Sequence, residues 1–178
     1  MILALDSYYK DDICNTSLVI FKHPWSDSPI YQDTIYTKVT SEYIPGEFYK
    51  RELPGIIMIL KKLQKEKIDL WEHITTIIVD GFVTLKLGDK EWGGLGYYLQ
   101  EYLESIGCNK RIYGVAKSKF GDCDQISKLI YRGKSEKPLY VQSTFNIDIA
   151  ANVIQQLHGK YRIPTILKSV DQLSRKFE

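Results

Sequence analysis

Three carboxylates stand where apolar segments of the sequence begin or end. Asp6 follows the apolar run 2–5, and Asp80 follows the β-branched run 75–79. Both runs are typical of buried β-strands. Glu52 stands at the start of an apolar pattern with helical spacing,. Taken singly, each acid is also explained as a strand-end residue or as a helix-start residue that complements the helix dipole.

The three acids could share one site if the strands that end at Asp6 and Asp80 are neighbours in a sheet. Clustered carboxylates repel one another unless a cation neutralises them, and their hard oxygen atoms suit Mg²⁺ or Mn²⁺. Such a cation can activate water and stabilise a phosphoryl group during an in-line displacement. Lys117 follows the apolar run 111–116 and could neutralise the phosphate or the developing charge. Many RNase H-like nucleases and integrases would satisfy this arrangement.

The hydrophobic pattern predicts a mixed α/β domain that positions these residues. Strands are predicted at 2–5, 17–22, 30–39, 75–79, 111–116 and 139–142,. The first three have short connections, which indicates an antiparallel meander. Helices are predicted at 52–66, 97–103, 149–158 and 165–177,. Asp148 is predicted to be the N-cap of the third helix, and the segment 82–91 is predicted to be a polar loop.

Length and composition restrict the class of protein. The 178 residues suit one domain, 1–178, and a net charge of +2 neither requires nor excludes nucleic acid,. Three widely spaced cysteines make a disulfide framework unexpected and favour a reducing compartment,. Charged residues occur early, at Asp6 and Lys10, so no signal peptide is expected, and the apolar runs are too short to span a bilayer,. These features predict a cytoplasmic protein with no membrane partner.

The segment 42–55 combines a tight turn with a helix start. Pro45 fixes its own φ, and Gly46 permits backbone angles that other residues avoid. Pro54 is tolerated in the first turn of a helix, which favours a helix start close to it. A second glycine-containing segment, 93–96, precedes the next predicted helix. It could simply begin that helix, or it could allow the backbone to approach a flat ligand closely.

Several stretches resemble endonuclease V, the family of metal-dependent nucleases that cleave near deaminated purines, chiefly inosine. They occur in order along nearly the whole chain, and the second is the most specific. The stretches are Leu-Asp-Ser-Tyr-Tyr at 5–9, Tyr-Ile-Pro-Gly-Glu-Phe-Tyr-Lys-Arg-Glu-Leu-Pro at 43–54, Val-Asp-Gly at 79–81, Gly-Val-Ala-Lys-Ser at 114–118 and Gly-Lys-Tyr-Arg-Ile-Pro at 159–164.

The resemblance implies an RNase H-like fold, with a central mixed sheet, an antiparallel three-stranded start and flanking helices. It implies Mg²⁺ or Mn²⁺ held by Asp6, Glu52 and Asp80, with Lys117 as the catalytic lysine. The partner would be DNA or RNA containing deaminated bases, cut one position beyond the lesion by a monomeric enzyme to leave a 3′-hydroxyl. The implied nucleic-acid-binding residues form a wedge and a base pocket: Tyr43, Ile44, Pro45, Gly46, Gly93, Gly94, Leu95 and Gly96.

The sequence departs from the family at its auxiliary histidines. Phe82 follows the Asp-Gly pair where the family usually has His, and a second His is missing from 85–87. A late His is replaced around Phe145, where Asp148 is a nearby carboxylate or a helix cap. Three hypotheses remain: a metal-dependent endonuclease for DNA repair or RNA processing, a weakened or non-cleaving nucleic-acid-binding protein of the same fold, or an unrelated α/β protein with structural acids.

Overall fold

A seven-stranded mixed sheet forms the centre of the computed structural model, which describes residues 1–177. The strands of the described residues are β1 Ile2–Lys10, β2 Ile13–Phe21, β3 Tyr31–Lys38, β4 Thr76–Asp80, β5 Thr84–Leu87, β6 Lys90–Gly93, β7 Arg111–Ala116, β8 Lys128–Ile130 and β9 Leu139–Ser143. The order in the large sheet is β3-β2-β1-β4-β7-β9-β8, and β5 pairs with β6 in a separate hairpin.

The pairing of the strands confirms the predicted mixed sheet with an antiparallel start. β1, β2 and β3 form an antiparallel meander, whereas β1, β4 and β7 are parallel to one another. β9 and β8 complete the sheet in antiparallel fashion. β4 lies at the centre because its β-branched residues are buried on both faces, as a parallel strand requires,.

Helices cover both faces of the sheet. They are α1 Tyr49–Glu66, α2 Ile68–His73, α3 Leu95–Ser105, α4 Ile147–Gln156 and α5 Thr165–Ser174. Apolar residues of α1, α2 and α3 pack with one face of the sheet, and those of α4 and α5 pack with the other. No helix within residues 1–177 is both long enough and apolar enough to cross a membrane.

Two predictions about element boundaries were wrong. β1 continues past Asp6 to Lys10, because residues 7–10 pair with 13–16 in a long hairpin. The segment 82–91 is not a loop, since most of it belongs to β5 and β6. Leu85 and Phe82 anchor this segment in a small apolar cluster.

The predicted cap of α4 was also wrong. The N-cap is Asn146, whose Oδ1 accepts a hydrogen bond from the Ile149 amide at 3.0 Å. Asp148 lies inside the first turn, where it is exposed and forms an ion pair with Lys128 at 3.0 Å. An amide oxygen two residues earlier therefore satisfies the free backbone donor that Asp148 was expected to satisfy.

α1 begins at Tyr49, about one turn before the predicted start. Pro54 consequently lies inside the helix, where it cannot donate to the Lys50 carbonyl,. The Ser41 hydroxyl donates to that carbonyl instead, at 3.3 Å. Glu52 still lies in the first turn of the helix, but it is buried against the sheet rather than exposed to solvent.

Candidate active site

Asp6 and Asp80 lie side by side at one edge of the parallel part of the sheet. Leu5 is paired with Val79 in the last register pair between β1 and β4. Asp6 and Asp80 follow that pair, and both point to the opposite face from Leu5 and Val79 because side chains alternate along a strand. The condition on which the sequence prediction depended, that these two strands are neighbours, is met.

Glu52 completes an electrostatic cluster with the two aspartates. Complete burial raises the pKa of Glu52 well above its usual range, and the charges of Asp80 and Asp6 raise it further. Burial also raises the pKa of Asp6 to about 7, an effect that the hydroxyl of Ser174 opposes and the charge of Asp80 reinforces. The fold thus brings the three predicted acids within electrostatic range of one another.

Lys117 joins this cluster from the end of β7, together with a fourth acid. Its Nζ lies 2.7 Å from Asp80 Oδ2 and 3.6 Å from Asp171 Oδ1. Burial alone would lower the pKa of Lys117, but the charge and hydrogen bond of Asp80 raise it overall. Arg175 holds Asp171 through two hydrogen bonds of 3.0 Å, which lower the pKa of the Asp171 carboxyl.

Asp171 and Ser174 were not among the site residues predicted from sequence. Both lie on α5, which was interpreted only as an amphipathic terminal helix. Ser174 is fully buried and donates its hydroxyl to Asp6, so it ties the helix to the acidic cluster. The pattern Asp171-x-x-x-Arg175 signals a helical ion pair, but the sequence contains no signal that α5 approaches β1.

The chemistry of the cluster fits a hard divalent cation. Its oxygen donors are carboxylates, which are ligands that such cations prefer. Asp6 and Glu52 are buried, and burial disfavours their ionised forms unless a cation is present to neutralise them,. A cavity of about 20 Å³, with room for roughly one water-sized species, is lined by Asp6, Asp80 and Lys117 together with aliphatic side chains, and Glu52 does not line it,. Among residues 1–177 no three His, Cys or carboxylate groups are already arranged to hold a metal ion, and Lys117 is the cation that contacts Asp80.

The positions of the missing histidines differ in their relation to the acids. Phe82, two residues after Asp80, is buried and packs near Tyr140 with a ring separation of 6.2 Å. Phe145 is exposed, and the guanidinium of Arg111 lies over its ring, at the opposite end of the parallel strands from Asp80. The region around Phe145 and Asp148 therefore supplies no carboxylate to the cluster, and the additional carboxylate comes from α5.

The segment before α1 forms an exposed turn beside the cluster. The Glu47 amide donates to the Ile44 carbonyl at 2.9 Å, and Gly46 has a φ of +82°. With Pro45 at the second position, these features define a type II turn. The carbonyl of Gly46 accepts a hydrogen bond from Trp92 Nε1 at 3.1 Å. Tyr43 at the start of this turn is 59% exposed, and its ring is available to a ligand.

A pocket of about 230 Å³ lies between this turn and the acids, and we call it the apolar pocket. Asp80 and Gly94 lie at its border. Its wall is largely aromatic and aliphatic, formed by Tyr43, Phe48, Phe82, Leu85, Leu95 and Phe120.

The glycine-containing segment 93–96 is divided between two roles. Gly94 borders the apolar pocket, and a Cβ there would lie 2.5 Å from the Phe82 carbonyl oxygen. Gly96 packs against Val83 in the first turn of α3, and Gly93 packs against Tyr97. Of the four residues predicted in this segment, Gly94 and Leu95 thus line the pocket, while Gly93 and Gly96 permit close packing behind it.

Gln142 binds the backbone between Phe82 and Leu85, two residues that line the apolar pocket, and the sequence did not reveal this role. Its buried Oε1 accepts hydrogen bonds from the amides of Val83 and Thr84 at 2.9 and 2.8 Å. Replacing Gln142 with Leu should lower the free energy of unfolding by about 2–4 kcal/mol, because two backbone donors lose their acceptor. Urea unfolding of Gln142→Leu and of the wild type checks this, and equal stability of the two proteins would contradict it.

The sheet order, the mixed strand directions and the helices on both faces define an RNase H-like fold. Solved structures of endonuclease V share it. A Ciona intestinalis endonuclease V, in complex with DNA containing an inosine followed by a ribo-adenosine, is 20% identical, with a TM-score of 0.79 over 98% of this chain and 84% of that chain. The catalytic domain of human endonuclease V is 19% identical, with a TM-score of 0.76 over 98% and 80%.

The similarity extends to a bacterial structure. Endonuclease V from Bacillus subtilis is 15% identical, with a TM-score of 0.63 over 97% of this chain and 77% of that chain. The amino-acid sequence matches no protein-family model and no curated protein. At these identities the comparison establishes the fold, and the function has to be argued from the site.

Proposed function

We propose that this protein is a divergent endonuclease V, a metal-dependent endonuclease that cleaves a phosphodiester near a deaminated purine, chiefly inosine, in DNA or RNA. The observation that carries the proposal is the grouping of Asp6, Asp80 and Lys117 at one edge of the sheet, beside an apolar pocket with an exposed tyrosine at its rim. The buried Glu52 lies within electrostatic range of both aspartates. The similarity to the Ciona structure, which holds inosine-containing DNA, supports it. Such cleavage would serve in DNA repair or in RNA processing.

The chain's own residues divide the work between recognition and chemistry. A base displaced from its stack would enter the apolar pocket, and the exposed ring of Tyr43 would stack beside it, which is worth about 1–3 kcal/mol per base. Asp6, Glu52 and Asp80 would hold Mg²⁺ or Mn²⁺, with Asp171 within reach of the same lysine. When bound, the cation supplies activation of water and stabilisation of the phosphoryl charge. Lys117 would then turn its charge from Asp80 towards the phosphate.

A non-cleaving nucleic-acid-binding protein is the second candidate. The observation that favours it is the ion pair of 2.7 Å between Lys117 and Asp80, together with Phe82 where the family usually has His. An apolar Phe82 side chain can shape the pocket, but it can neither orient water nor contact a phosphate through a hydrogen bond.

Cleavage of end-labelled oligonucleotides distinguishes these candidates. Single- and double-stranded DNA and RNA, each with one inosine or with adenosine at that position, are incubated with the protein and Mg²⁺, Mn²⁺ or EDTA. The endonuclease proposal predicts a cut one phosphodiester beyond inosine, dependent on the metal and leaving a 3′-hydroxyl. Tight binding of inosine substrates without any cut would favour the second candidate, and neither binding nor cutting would contradict both.

A further inference from the structure

A groove of about 670 Å³ adjoins the acidic cluster and shares no lining residue with the apolar pocket, and we call it the basic groove. Lys117 and Asp171 form its inner end, so it is continuous with the candidate active site. The acids therefore lie between two binding surfaces of different character. The apolar pocket borders Asp80, and the basic groove borders Asp171.

Two arginines stabilise the walls of the basic groove by donating hydrogen bonds to backbone carbonyls. Arg162 donates to the carbonyls of Lys137 at 3.0 Å, Pro138 at 2.8 Å and Lys117. Buried Arg132 donates to four carbonyls between residues 157 and 162. Neither guanidinium has a carboxylate partner among residues 1–177. Both instead connect the backbone segments that line the groove.

Lys134 and Lys168 on these walls are, in contrast, exposed and available. Neither forms an ion pair with a carboxylate within residues 1–177, whereas the lysines at 38, 50, 62, 86, 117, 119 and 128 do. At the rim, Tyr161 is 66% exposed, with Lys160 Nζ 5.4 Å from its ring centroid. Unpaired lysines beside an exposed aromatic ring form a surface that suits a polyanion carrying flat groups.

We propose that the basic groove binds the nucleic-acid strand on the far side of the cut from the apolar pocket, with Lys134 and Lys168 at its phosphates and Tyr161 stacked on an unpaired base. The proposal rests on the function proposed above. Because the implied cut lies on the 3′ side of the lesion, the groove receives the 3′ flank. An acidic peptide could also pair with the lysines. It would not account for the exposed tyrosine ring, on which a base can stack, or for the continuity of the groove with the candidate active site.

Affinity as a function of flank length tests the proposal. Fluorescent single-stranded oligonucleotides, of DNA and of RNA, carry inosine with a constant 5′ flank and a 3′ flank of about 2 or about 10 nucleotides. Binding is measured by anisotropy in EDTA, so that no substrate is cut. The longer 3′ flank should tighten binding to the wild type about tenfold. Pairing that flank with a complementary strand should remove part of the gain, because Tyr161 then has no free base.

Variants identify the groove as the source of the gain. The double variant Lys134→Ala with Lys168→Ala should lose most of the affinity gained from the longer 3′ flank. The slope of log affinity against log salt concentration should become smaller by about 1.4, that is about 0.7 for each phosphate contact. Tyr161→Ala should lose the part that depends on an unpaired base, and Tyr161→Phe should keep it. The matched control is Lys61→Ala with Lys65→Ala, two exposed lysines on α1, which packs on the other face of the sheet; it should bind like the wild type.

The outcomes separate this inference from the proposed function. If the short substrate is cleaved at inosine in Mg²⁺ but the 3′ flank adds no affinity, or the groove variants bind like the control, the groove proposal is wrong and the nuclease proposal stands. If polyglutamate displaces the long oligonucleotide as well as an unlabelled oligonucleotide of equal charge does, the groove belongs to acidic partners instead. If no oligonucleotide binds and none is cut, both proposals fail.

Discussion

Replacing Asp80 with Asn should reduce the rate of cleavage at inosine by about 10³-fold or more, because it removes both a proposed metal ligand and the partner of Lys117. Asn keeps the shape of the side chain, and Asp80 is only partly buried, so the fold should be retained. Affinity for the inosine oligonucleotide in EDTA should change little, since the apolar pocket and the turn at Tyr43 remain. Single-turnover cleavage and anisotropy on the same preparation measure both quantities.

The matched control for this variant is Asp148→Asn. Asp148 is an exposed aspartate on α4 that forms an ion pair with Lys128 of β8 and is not part of the acidic cluster. The Asp148→Asn variant should cleave inosine substrates at the wild-type rate, because surface ion pairs of this kind contribute little to stability. Equal losses in the two variants, or full activity of Asp80→Asn, would show that the acidic cluster does not perform the chemistry.

The second large effect concerns the stability of the metal-free protein. Because burial raises the pKa of Asp6 to about 7 from an ordinary value of 3.8, the folded state retains a proton that the unfolded chain has lost between these values. Stability should therefore fall as pH rises from about 4 to about 7, by about 2–4 kcal/mol from this group. Glu52, whose pKa is also raised by burial and by its acidic neighbours, should act in the same direction.

Chemical denaturation at several pH values, with EDTA or Mg²⁺, measures this effect. Mg²⁺ should restore stability above pH 7, because a cation that binds only the folded state neutralises the carboxylates. Glu52→Gln should stabilise the metal-free protein at pH 8 by about 0.5–2 kcal/mol and weaken its response to Mg²⁺. Glu66→Gln, at the exposed end of the same helix, is the control and should do neither. Stability that rises between pH 4 and 7 would contradict the electrostatic account.

The parts of the site that could be predicted from sequence are those fixed by local pattern. Asp6 and Asp80 each follow an apolar strand, and parallel neighbours place such residues at one edge of a sheet. Glu52 was placed correctly near a helix start, although Pro54 misled the prediction of where the helix begins. Lys117 was located because it follows the next parallel strand.

The parts that could not be predicted depend on contacts distant in sequence. Asp171 reaches Lys117 only because α5 packs against β1 and β2, and no periodicity in α5 specifies that approach. The hydrogen bonds of Gln142, Arg132 and Arg162 to backbone carbonyls and amides likewise have no signature in residue type or spacing. The hairpin of β5 and β6 was mistaken for a loop because its strands are short, polar and joined at Gly88.

The position of a bound cation shows whether Asp6, Glu52 and Asp80 form one metal site. Crystals grown with Mn²⁺ and an inosine oligonucleotide, made uncleavable by a sulfur substitution at the scissile phosphate, allow the metal to be located by anomalous scattering. We expect a Mn²⁺ peak between Asp6, Glu52 and Asp80, with carboxylate oxygens about 2.1 Å away and Lys117 turned towards the phosphate. A map with no peak at these carboxylates, in which Lys117 still pairs with Asp80 and the inosine lies outside the apolar pocket, would contradict this expectation.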